Sequence, residues 1–221
     1  MDGTLDIYIY SAFPTLAVQE LSGSQIIARR WKNGVENYWS TYIFLQNSGI
    51  ESVEDFKGKV LAFEHPESTS VFVLPAGTLI EQGYTLREVD RPDAAVASDQ
   101  IGYYFSQDEE NTTLLVMEGL VAGGGFSNLD YEGLSEELRS QISFLGETIS
   151  VPRQLVSIRP GVDPRLAGRI KELLFGLDQT EEGRAILEHL KETKKFDELP
   201  AKSVENLQSV RDLMRLVSQR P

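Results

Sequence analysis

The apolar residues of this chain occur in short runs separated by polar loops. Runs that alternate, or that are rich in β-branched and aromatic residues, predict strands. Such runs lie at residues 5–10, 38–45, 59–63, 86–89, 121–126 and 148–159. The first of them begins so close to the start of the sequence that we expect a preceding part of the fold to be missing from it.

Apolar residues at helical spacing occupy much of the remaining chain. A capping pattern of Ser52 with Asp55 predicts a short helix ending at Gly58. The other predicted helices are 70–82 and, after Pro164, 166–177, 181–194 and 203–217. Residues 93–97 predict a further helix start, and residues 111–118 fit either a helix or a strand. Strands alternating with helices indicate an α/β fold with mainly parallel sheets.

The net charge of the chain limits the kinds of molecule that it is expected to bind. The 221 residues include 21 Lys and Arg against 34 Asp and Glu, a formal net charge of −13. Nucleic acids and anionic membranes are bound through clustered basic residues. The densest basic run here is Arg29-Arg30-Trp31-Lys32, which could clamp an anion but for which we expect a solvated turn. Nucleic acid is therefore not an expected partner, whereas a small anion remains possible because charges are screened beyond about 8 Å.

Other features of the composition limit the chemistry. The sequence has no cysteine, which removes disulfides, thiolate metal sites and cysteine nucleophiles. Glu118 interrupts the longest apolar stretch, which falls short of the roughly 18 residues of a membrane span, so no membrane insertion is predicted. The first residues lack the pattern of an export signal. Either the protein is cytoplasmic or this sequence starts after a removed signal.

The segment from Phe63 to Pro75 carries the clearest chemical signal. A predicted strand ends, and three consecutive hydroxyl residues, Ser68, Thr69 and Ser70, precede a predicted helix. Backbone N–H groups at a helix start and nearby hydroxyls together form an anion site. The alternative is that Ser68 or Thr69 only caps the helix.

No pattern indicates an enzyme or a metal site. His65 and His189 lie far apart in the sequence without the spacing of a metal motif. His65 could reach an anion at the hydroxyl residues, or lie in a turn exposed to solvent. Gly123-Gly124-Gly125 lacks dinucleotide-site spacing, so we interpret it as a flexible strand end. We expect no catalytic residue, no metal and no cofactor.

A wider set of segments resembles one known family. It comprises the aromatic strand with Ser40, the turn Asn47-Ser48-Gly49-Ile50, residues 53–59, Ala62-Phe63, Ser68-Thr69-Ser70, Leu74-Pro75 and, more weakly, residues 151–156, 159–161, 180–184 and 196–200. In these segments the chain is similar to the phosphate, phosphite and phosphonate binding proteins of ABC importers, apparently without their N-terminal segment. The resemblance covers most of the chain.

The resemblance implies a fold and a function. It implies a two-lobed, type II periplasmic-binding-protein-like α/β fold with hinge strands, lobe 1 formed by residues 1–46 and 150–221 and lobe 2 by residues 47–149. A small phosphorus oxyanion would bind in the cleft and be delivered to a membrane permease. We therefore expect a protein that is periplasmic, or lipid-anchored outside the cytoplasmic membrane, and not an enzyme.

The resemblance also assigns ligand contacts residue by residue. Ser68, Thr69 and Ser70 would contact the phosphoryl oxygens. The candidates for the rest of the pocket are Tyr38, Trp39 and Ser40 in the aromatic strand and Tyr10 with Ser11 after the first strand. The aromatic residues among them could instead belong to the core.

Three departures from the family pattern bear on the ligand. Val71 replaces a usual glycine, residues 92–95 replace a histidine-containing stretch, and Ala122 stands where an acidic residue often follows the valine. Without that carboxylate, phosphate, phosphite, a methylphosphonate or some other small anion is favoured over an aminoalkyl phosphonate. Alternative functions are the ligand-sensing domain of a receptor kinase and, less favoured, a biosynthetic enzyme on the same scaffold.

Overall fold

A computed structural model describes residues 5–190 and 193–219. The strands in this part of the chain are β1 (Ile7–Tyr10), β2 (Gln25–Lys32), β3 (Asn37–Tyr38), β4 (Ser40–Leu45), β5 (Val60–Phe63), β6 (Thr85–Glu88), β7 (Gln100–Phe105), β8 (Gly123–Ser127), β9 (Ile142–Leu145), β10 (Val151–Pro152), β11 (Gln154–Ile158) and β12 (Thr193–Asp197). The α-helices are α1 (Ala12–Ser22), α2 (Leu74–Glu81), α3 (Glu109–Met117), α4 (Asn128–Gly133), α5 (Glu136–Arg139), α6 (Pro164–Gly176), α7 (Glu181–His189) and α8 (Ala201–Ser218). Short 3-10 turns occur at Val53–Phe56 and Leu177–Gln179, and a π turn at Thr69–Val73 leads into α2.

The described residues form two compact units. The first comprises residues 5–38 and 150–211, and the second comprises residues 39–149 and 212–219. Residues 39–46 and 212–219, which the sequence places in lobe 1, thus belong to the second unit. The boundary at residues 38 and 39 falls between β3 and β4, where the predicted strand 38–45 is interrupted.

The first unit contains an antiparallel four-stranded sheet of order β1-β11-β2-β12. Its core includes Ala28, Val156, Leu187 and Phe196, against which side chains of α6 also pack. Among the described residues, strand β1 pairs with β11 alone and lies at an edge of the sheet, where Ile7 and Tyr10 are exposed. The expected parallel pairing is therefore absent from this sheet.

Two arginines lie inside the first unit. Arg29 and Arg30 belong to β2, and their exposed fractions are only 3% and 5%. Arg29 donates hydrogen bonds to both carboxylate oxygens of Asp197, at 2.9 and 2.7 Å. Arg30 donates to Thr193, Gln154 and the carbonyl oxygen of Leu190. The prediction of a solvated turn is wrong, because partners distant in sequence satisfy both guanidinium groups within the sheet.

The indole of Trp31 lies between two cationic groups of the same unit. The guanidinium carbon of Arg29 lies 5.4 Å from the centroid of the indole ring, and the Lys195 ammonium nitrogen lies 4.2 Å from it. Cations placed over an indole face are attracted by its quadrupole. The basic run thus contributes to the packing of this unit.

The second unit contains a six-stranded sheet of order β6-β7-β5-β8-β4-β9. Strands β6, β7, β5 and β8 are parallel, while β4 and β9 are antiparallel to their neighbours. The predicted α/β class is confirmed, and the expected parallel pairing occurs here. The carboxyl ends of β5, β7 and β8 consequently meet at one edge of the sheet.

The three glycines of β8 are required by close packing on both faces of this sheet. A Cβ atom on Gly124 would lie 2.6 Å from the Thr112 side chain of α3, and one on Gly125 would lie 2.8 Å from the carbonyl oxygen of Val71 in the π turn. One on Gly123 would lie 2.6 Å from the carbonyl oxygen of Ile43. The predicted strand is confirmed, but the predicted flexible end is wrong, because β8 is a fully buried interior strand.

Several further predictions can be compared with the structure. The Ser52–Asp55 capping box is present, and residues 111–118 fall largely in helix α3. Residues 93–97 are not helical, because Val96 packs over Gly102 of β7 instead. The predicted helix 181–194 is too long, because α7 ends at His189 and residues 193–197 pair with β2 as β12.

Candidate functional site

The hydroxyl loop, defined as Ser68, Thr69 and Ser70, lies at the carboxyl-terminal edge of the second unit's sheet. Strand β5 ends at Phe63, and the backbone turns through His65 before the loop, where the Ser68 amide donates to the His65 carbonyl at 3.0 Å. The three side chains are buried, with exposed fractions of 8%, 2% and 9%. Strand, tight turn and helical segment follow one another in the predicted order.

Ser68 caps the helical segment. Its backbone is extended, and its hydroxyl oxygen accepts a hydrogen bond of 3.1 Å from the Val71 amide. The capping interpretation is therefore confirmed for this residue. It does not compete with anion binding, since the hydroxyl hydrogen of Ser68 is still available as a donor.

The Ser70 hydroxyl differs from that of Ser68. Within residues 5–190 and 193–219 the structure gives it no hydrogen-bond partner, whereas the Ser70 carbonyl accepts from Ser40. The Ser70 side chain is only 9% exposed, but its hydroxyl oxygen is not one of the fully buried unpaired atoms, so it is accessible to a bound molecule. An incoming oxyanion is a suitable acceptor for this hydroxyl.

Two side chains of β4 donate hydrogen bonds to the backbone of the loop and of the helix that follows it. The Ser40 hydroxyl donates to the Ser70 carbonyl at 2.5 Å, and the Tyr42 hydroxyl donates to the Pro75 carbonyl at 2.8 Å. Burial, followed by the charge of Tyr84, raises the pKa of Tyr42 above its ordinary value. Tyr42 therefore remains a hydrogen-bond donor at neutral pH. Ser40 is fully buried, so the structure places it behind the loop.

Carboxylates collect at the same edge of the sheet. Glu64 follows β5, Asp108 and Glu109 follow β7, and Asp130 follows β8. Burial raises the pKa of the Glu109 carboxyl, and the charges of Glu64, Asp130 and Asp108 raise it further. Sequence reasoning missed this group, although each member follows the end of a β-rich run, which is the signal that could have identified it.

His65 lies beside this edge without a defined role. Its Nε2 atom is 3.4 Å from a Glu64 carboxylate oxygen, and its side chain is 36% exposed. Among the described residues no group of three histidine, aspartate or glutamate side chains is placed to hold a metal ion. No helix in that part of the chain has both the length and the apolar character of a membrane span.

The aromatic candidates divide between the two units. Tyr38 ends β3 in the first unit, is 2% exposed, and has the Arg153 guanidinium 4.7 Å from its ring centroid. Trp39, in the second unit, is partly buried, and its backbone exchanges hydrogen bonds with Asn128. Tyr38 thus has the environment of a core residue.

Tyr10 and Ser11 join β1 to α1 in the first unit. Tyr10 is 49% exposed and stacks on Tyr8 with ring centroids 5.8 Å apart. Ser11 is the N-cap residue of the 11-residue helix α1, and its side chain makes no capping hydrogen bond.

Comparison with solved structures shows the fold. XAC2383 from Xanthomonas citri, solved bound to ATP, superposes with a TM-score of 0.91 at 21% identity, over 98% of this chain and 80% of that one. PhnD1 from Prochlorococcus marinus in complex with methylphosphonate gives 0.65 at 17% identity, over 96% and 79%. The periplasmic aliphatic sulphonate binding protein SsuA from Escherichia coli gives 0.63 at 14% identity, over 99% and 77%.

Comparison with protein families gives a single assignment. The sequence profile of the ABC-transporter phosphonate periplasmic substrate-binding proteins matches residues 1–203. Membership implies a small-molecule ligand, a permease partner and a place outside the cytoplasmic membrane, and it implies binding without catalysis. The chain is a solute-binding protein of this phosphonate-binding family, with the fold of the type II periplasmic binding proteins.

Proposed function

We propose that this protein captures a small phosphorus oxyanion through the hydroxyl loop and delivers it unchanged to an ABC permease. The observation that carries the proposal is the Ser70 hydroxyl, which lies in the first turn of the helical segment, belongs to a side chain only 9% exposed, and has no partner among the described residues. Amides and hydroxyls at a helix start bind anions without requiring a lysine. The family assignment independently supports a solute-binding role.

Hydrogen bonds from the hydroxyl loop can hold a small phosphorus oxyanion even though carboxylates lie at the same edge of the sheet. A few charge-assisted hydrogen bonds at about 1.5–3 kcal/mol each are enough for micromolar affinity after the cost of association. The carboxylates at the same edge would penalise a highly charged anion and would favour one that also carries an ammonium group. Ala122 precedes β8, and its amide donates to the carbonyl of Val60 at the start of β5, so the replacement there lies at the opposite edge of the sheet and does not decide between the two kinds of ligand. 2-Aminoethylphosphonate is therefore a discriminating member of a ligand panel.

The ligands of the related structures add compounds to the panel, but they do not identify the ligand of this protein. XAC2383 was solved with ATP, PhnD1 with methylphosphonate, and SsuA is described as a sulphonate binder. Each of these ligands presents a tetrahedral oxyanion. We propose that the protein selects phosphorus over sulfur, and ATP tests whether a larger phosphate compound is accepted.

Tyr10, Ser11, Tyr38 and Trp39 remain proposed ligand contacts. Tyr10 and Trp39 retain solvent exposure and are the better tests of this group. We expect Trp39→Phe and Tyr10→Phe to weaken binding less than loss of a loop hydroxyl, because they keep the aromatic surface.

Calorimetric titration tests the proposal. The ligands are phosphate, phosphite, methylphosphonate, 2-aminoethylphosphonate, sulfate, methanesulfonate and ATP. We expect one phosphorus compound to bind with micromolar or lower Kd, and Ser70→Ala to raise that Kd by about tenfold or more.

The matched control is Ser135→Ala, which removes a cap hydroxyl of helix α5 in the same unit. It should leave the Kd unchanged. Absence of binding to every ligand, or binding that Ser70→Ala and Ser68→Ala leave intact, would contradict the proposal.

A further inference from the structure

The helical segment after the hydroxyl loop contains a proline at a position where its hydrogen-bond ladder needs a donor. The Val73 amide donates to the Ser68 carbonyl, and the Leu74 amide donates to the Thr69 carbonyl, each five residues back. The next donor in this register would be residue 75, paired with the Ser70 carbonyl. Residue 75 is proline, which has no N–H group.

Ser40 supplies the missing donor from the neighbouring strand. Its hydroxyl donates to the Ser70 carbonyl at 2.5 Å, and the side chain is fully buried. We propose that Ser40 is a positioning residue, which fixes the π turn and thereby aims the Ser70 hydroxyl and the adjacent amides at the ligand. This inference rests on the proposed function for its effect on binding, but not for its effect on the turn.

The surroundings of Ser40 favour positioning over direct contact with a ligand. Residues 40 and 42 lie on one face of β4 because side chains alternate along a strand. Both donate to carbonyls of the same helical segment, since Tyr42 donates to Pro75 at 2.8 Å. The carbonyl of Val71 on the same turn approaches β8 so closely that Gly125 has no room for a Cβ atom. Strand β4 therefore holds the turn through hydrogen bonds, and β8 confines it by close packing.

Pro75 makes the role of Ser40 testable by rescue. In Pro75→Ala the backbone of residue 75 regains an N–H group that can donate to the Ser70 carbonyl, so the Ser40 hydroxyl becomes dispensable. The variants are Ser40→Ala, Pro75→Ala and the double variant. Thr41→Val is the matched control, because Thr41 is the next residue of β4 and its buried hydroxyl donates to the Leu145 carbonyl instead.

Amide hydrogen exchange, followed residue by residue by NMR without ligand, is the first measurement. We expect Ser40→Ala to speed exchange at Val73 and Leu74 by about tenfold relative to the rest of the unit, because the turn opens locally. The double variant should match Pro75→Ala within about twofold. Thr41→Val should leave these two amides unchanged relative to the rest of the unit.

Ligand affinity is the second measurement, with the best phosphorus ligand of the panel. We expect Ser40→Ala to raise Kd by about fivefold to tenfold, as for one lost hydrogen bond, and Pro75→Ala to cancel that increase. Unchanged exchange at Val73 and Leu74 in Ser40→Ala, or an affinity loss that Pro75→Ala does not rescue, would overturn the positioning role. If the parent protein binds no ligand, the proposed function fails, and the exchange data still decide the role of Ser40.

Discussion

The two units of this chain differ in what lies inside them and in what they leave exposed. The second unit buries a sheet between α3 on one face and the π turn on the other, with glycines where the packing is closest. The first unit has two buried arginines in its sheet. Most of the exposed large apolar side chains belong to the first unit, namely Leu5, Ile7, Tyr10, Leu21, Leu166, Leu173, Ile186, Leu190 and Val204.

The difference indicates that the units depend on different interactions. Tight packing penalises any change of side-chain volume in the second unit. In the first unit the buried guanidinium groups make stability depend on polar partners, because an unpaired buried charge is costly. In the second unit, which carries the hydroxyl loop, close packing therefore fixes the positions of the backbone.

The largest expected effect is on the core of the second unit. Phe126 is 1% exposed and packs in the cluster with Ile43 and Val60. We expect Phe126→Ala to lower the free energy of unfolding of this unit by about 3–5 kcal/mol, measured by urea denaturation. Phe144→Ala, at a residue 50% exposed in the same unit, should cost far less. Equal costs would show that the second unit is not the tightly packed one.

The next effect is on the ion pair of the first unit. Asp197→Ala leaves the Arg29 guanidinium, 3% exposed, with Glu36 as its remaining carboxylate neighbour. We expect a loss of about 3 kcal/mol in the free energy of unfolding, as for other buried pairs broken from one side. Replacing both residues by leucine should recover part of it. Glu205→Ala, which removes a pair with 77% and 69% exposed side chains, should cost less than about 0.5 kcal/mol.

A smaller effect concerns pH and the acidic edge of the second unit. Burial raises the pKa of Glu109, so its contribution to stability is present below the ordinary glutamate pKa and is lost as pH rises through the raised value. Glu109→Gln keeps the group neutral. We expect the variant to gain a few tenths of a kcal/mol over the parent as pH rises from about 4 to 7, measured by thermal unfolding. A parent that gains stability relative to the variant over this range would contradict the assignment.

The smallest effect is at the exposed apolar face of the first unit. Leu173 on α6 is 67% exposed. We expect Leu173→Ser to change the free energy of unfolding by less than about 0.5 kcal/mol. Binding of a hydrophobic dye should fall in the same variant. A loss above about 1 kcal/mol would mean that this face is covered in solution.

The sequence predicted the second unit better than the first. Strands β4, β5, β6 and β8 were predicted as apolar runs bounded by turns, and the Ser52–Asp55 box is a local signal that the structure reproduces. Strands β7 and β9 of this unit were missed. Strand β2 of the first unit carries Arg29 and Arg30, whose burial depends on Asp197 and Gln154. Such distant partners cannot be inferred from local pattern, so this strand was missed. Strand β12 was missed because Thr193 and Lys194 were included in the predicted helix 181–194.

The sequence predicted which residues form the hydroxyl loop, but not the contacts that hold the loop in place. Ser68, Thr69 and Ser70 stand out as three successive hydroxyls, and the structure places them at a helix start as expected. That Ser40 bonds to the Ser70 carbonyl could not be inferred, because it requires the spacing between β4 and the π turn. The acidic residues near Glu109 converge only once β5, β7 and β8 lie side by side in parallel.

Trp31 and Trp39 are the only tryptophans of the sequence, and one lies in each unit. Trp31 is flanked by the cations of Arg29 and Lys195, whereas Trp39 adjoins Asn128. Nearby positive charge changes the emission of an indole, so the two residues should fluoresce at different wavelengths. Trp39→Phe would leave Trp31 as the fluorophore of the first unit, and Trp31→Phe would leave Trp39 as the fluorophore of the second. Neither variant needs an attached label. Ligand capture and unfolding could then be timed separately in the two halves.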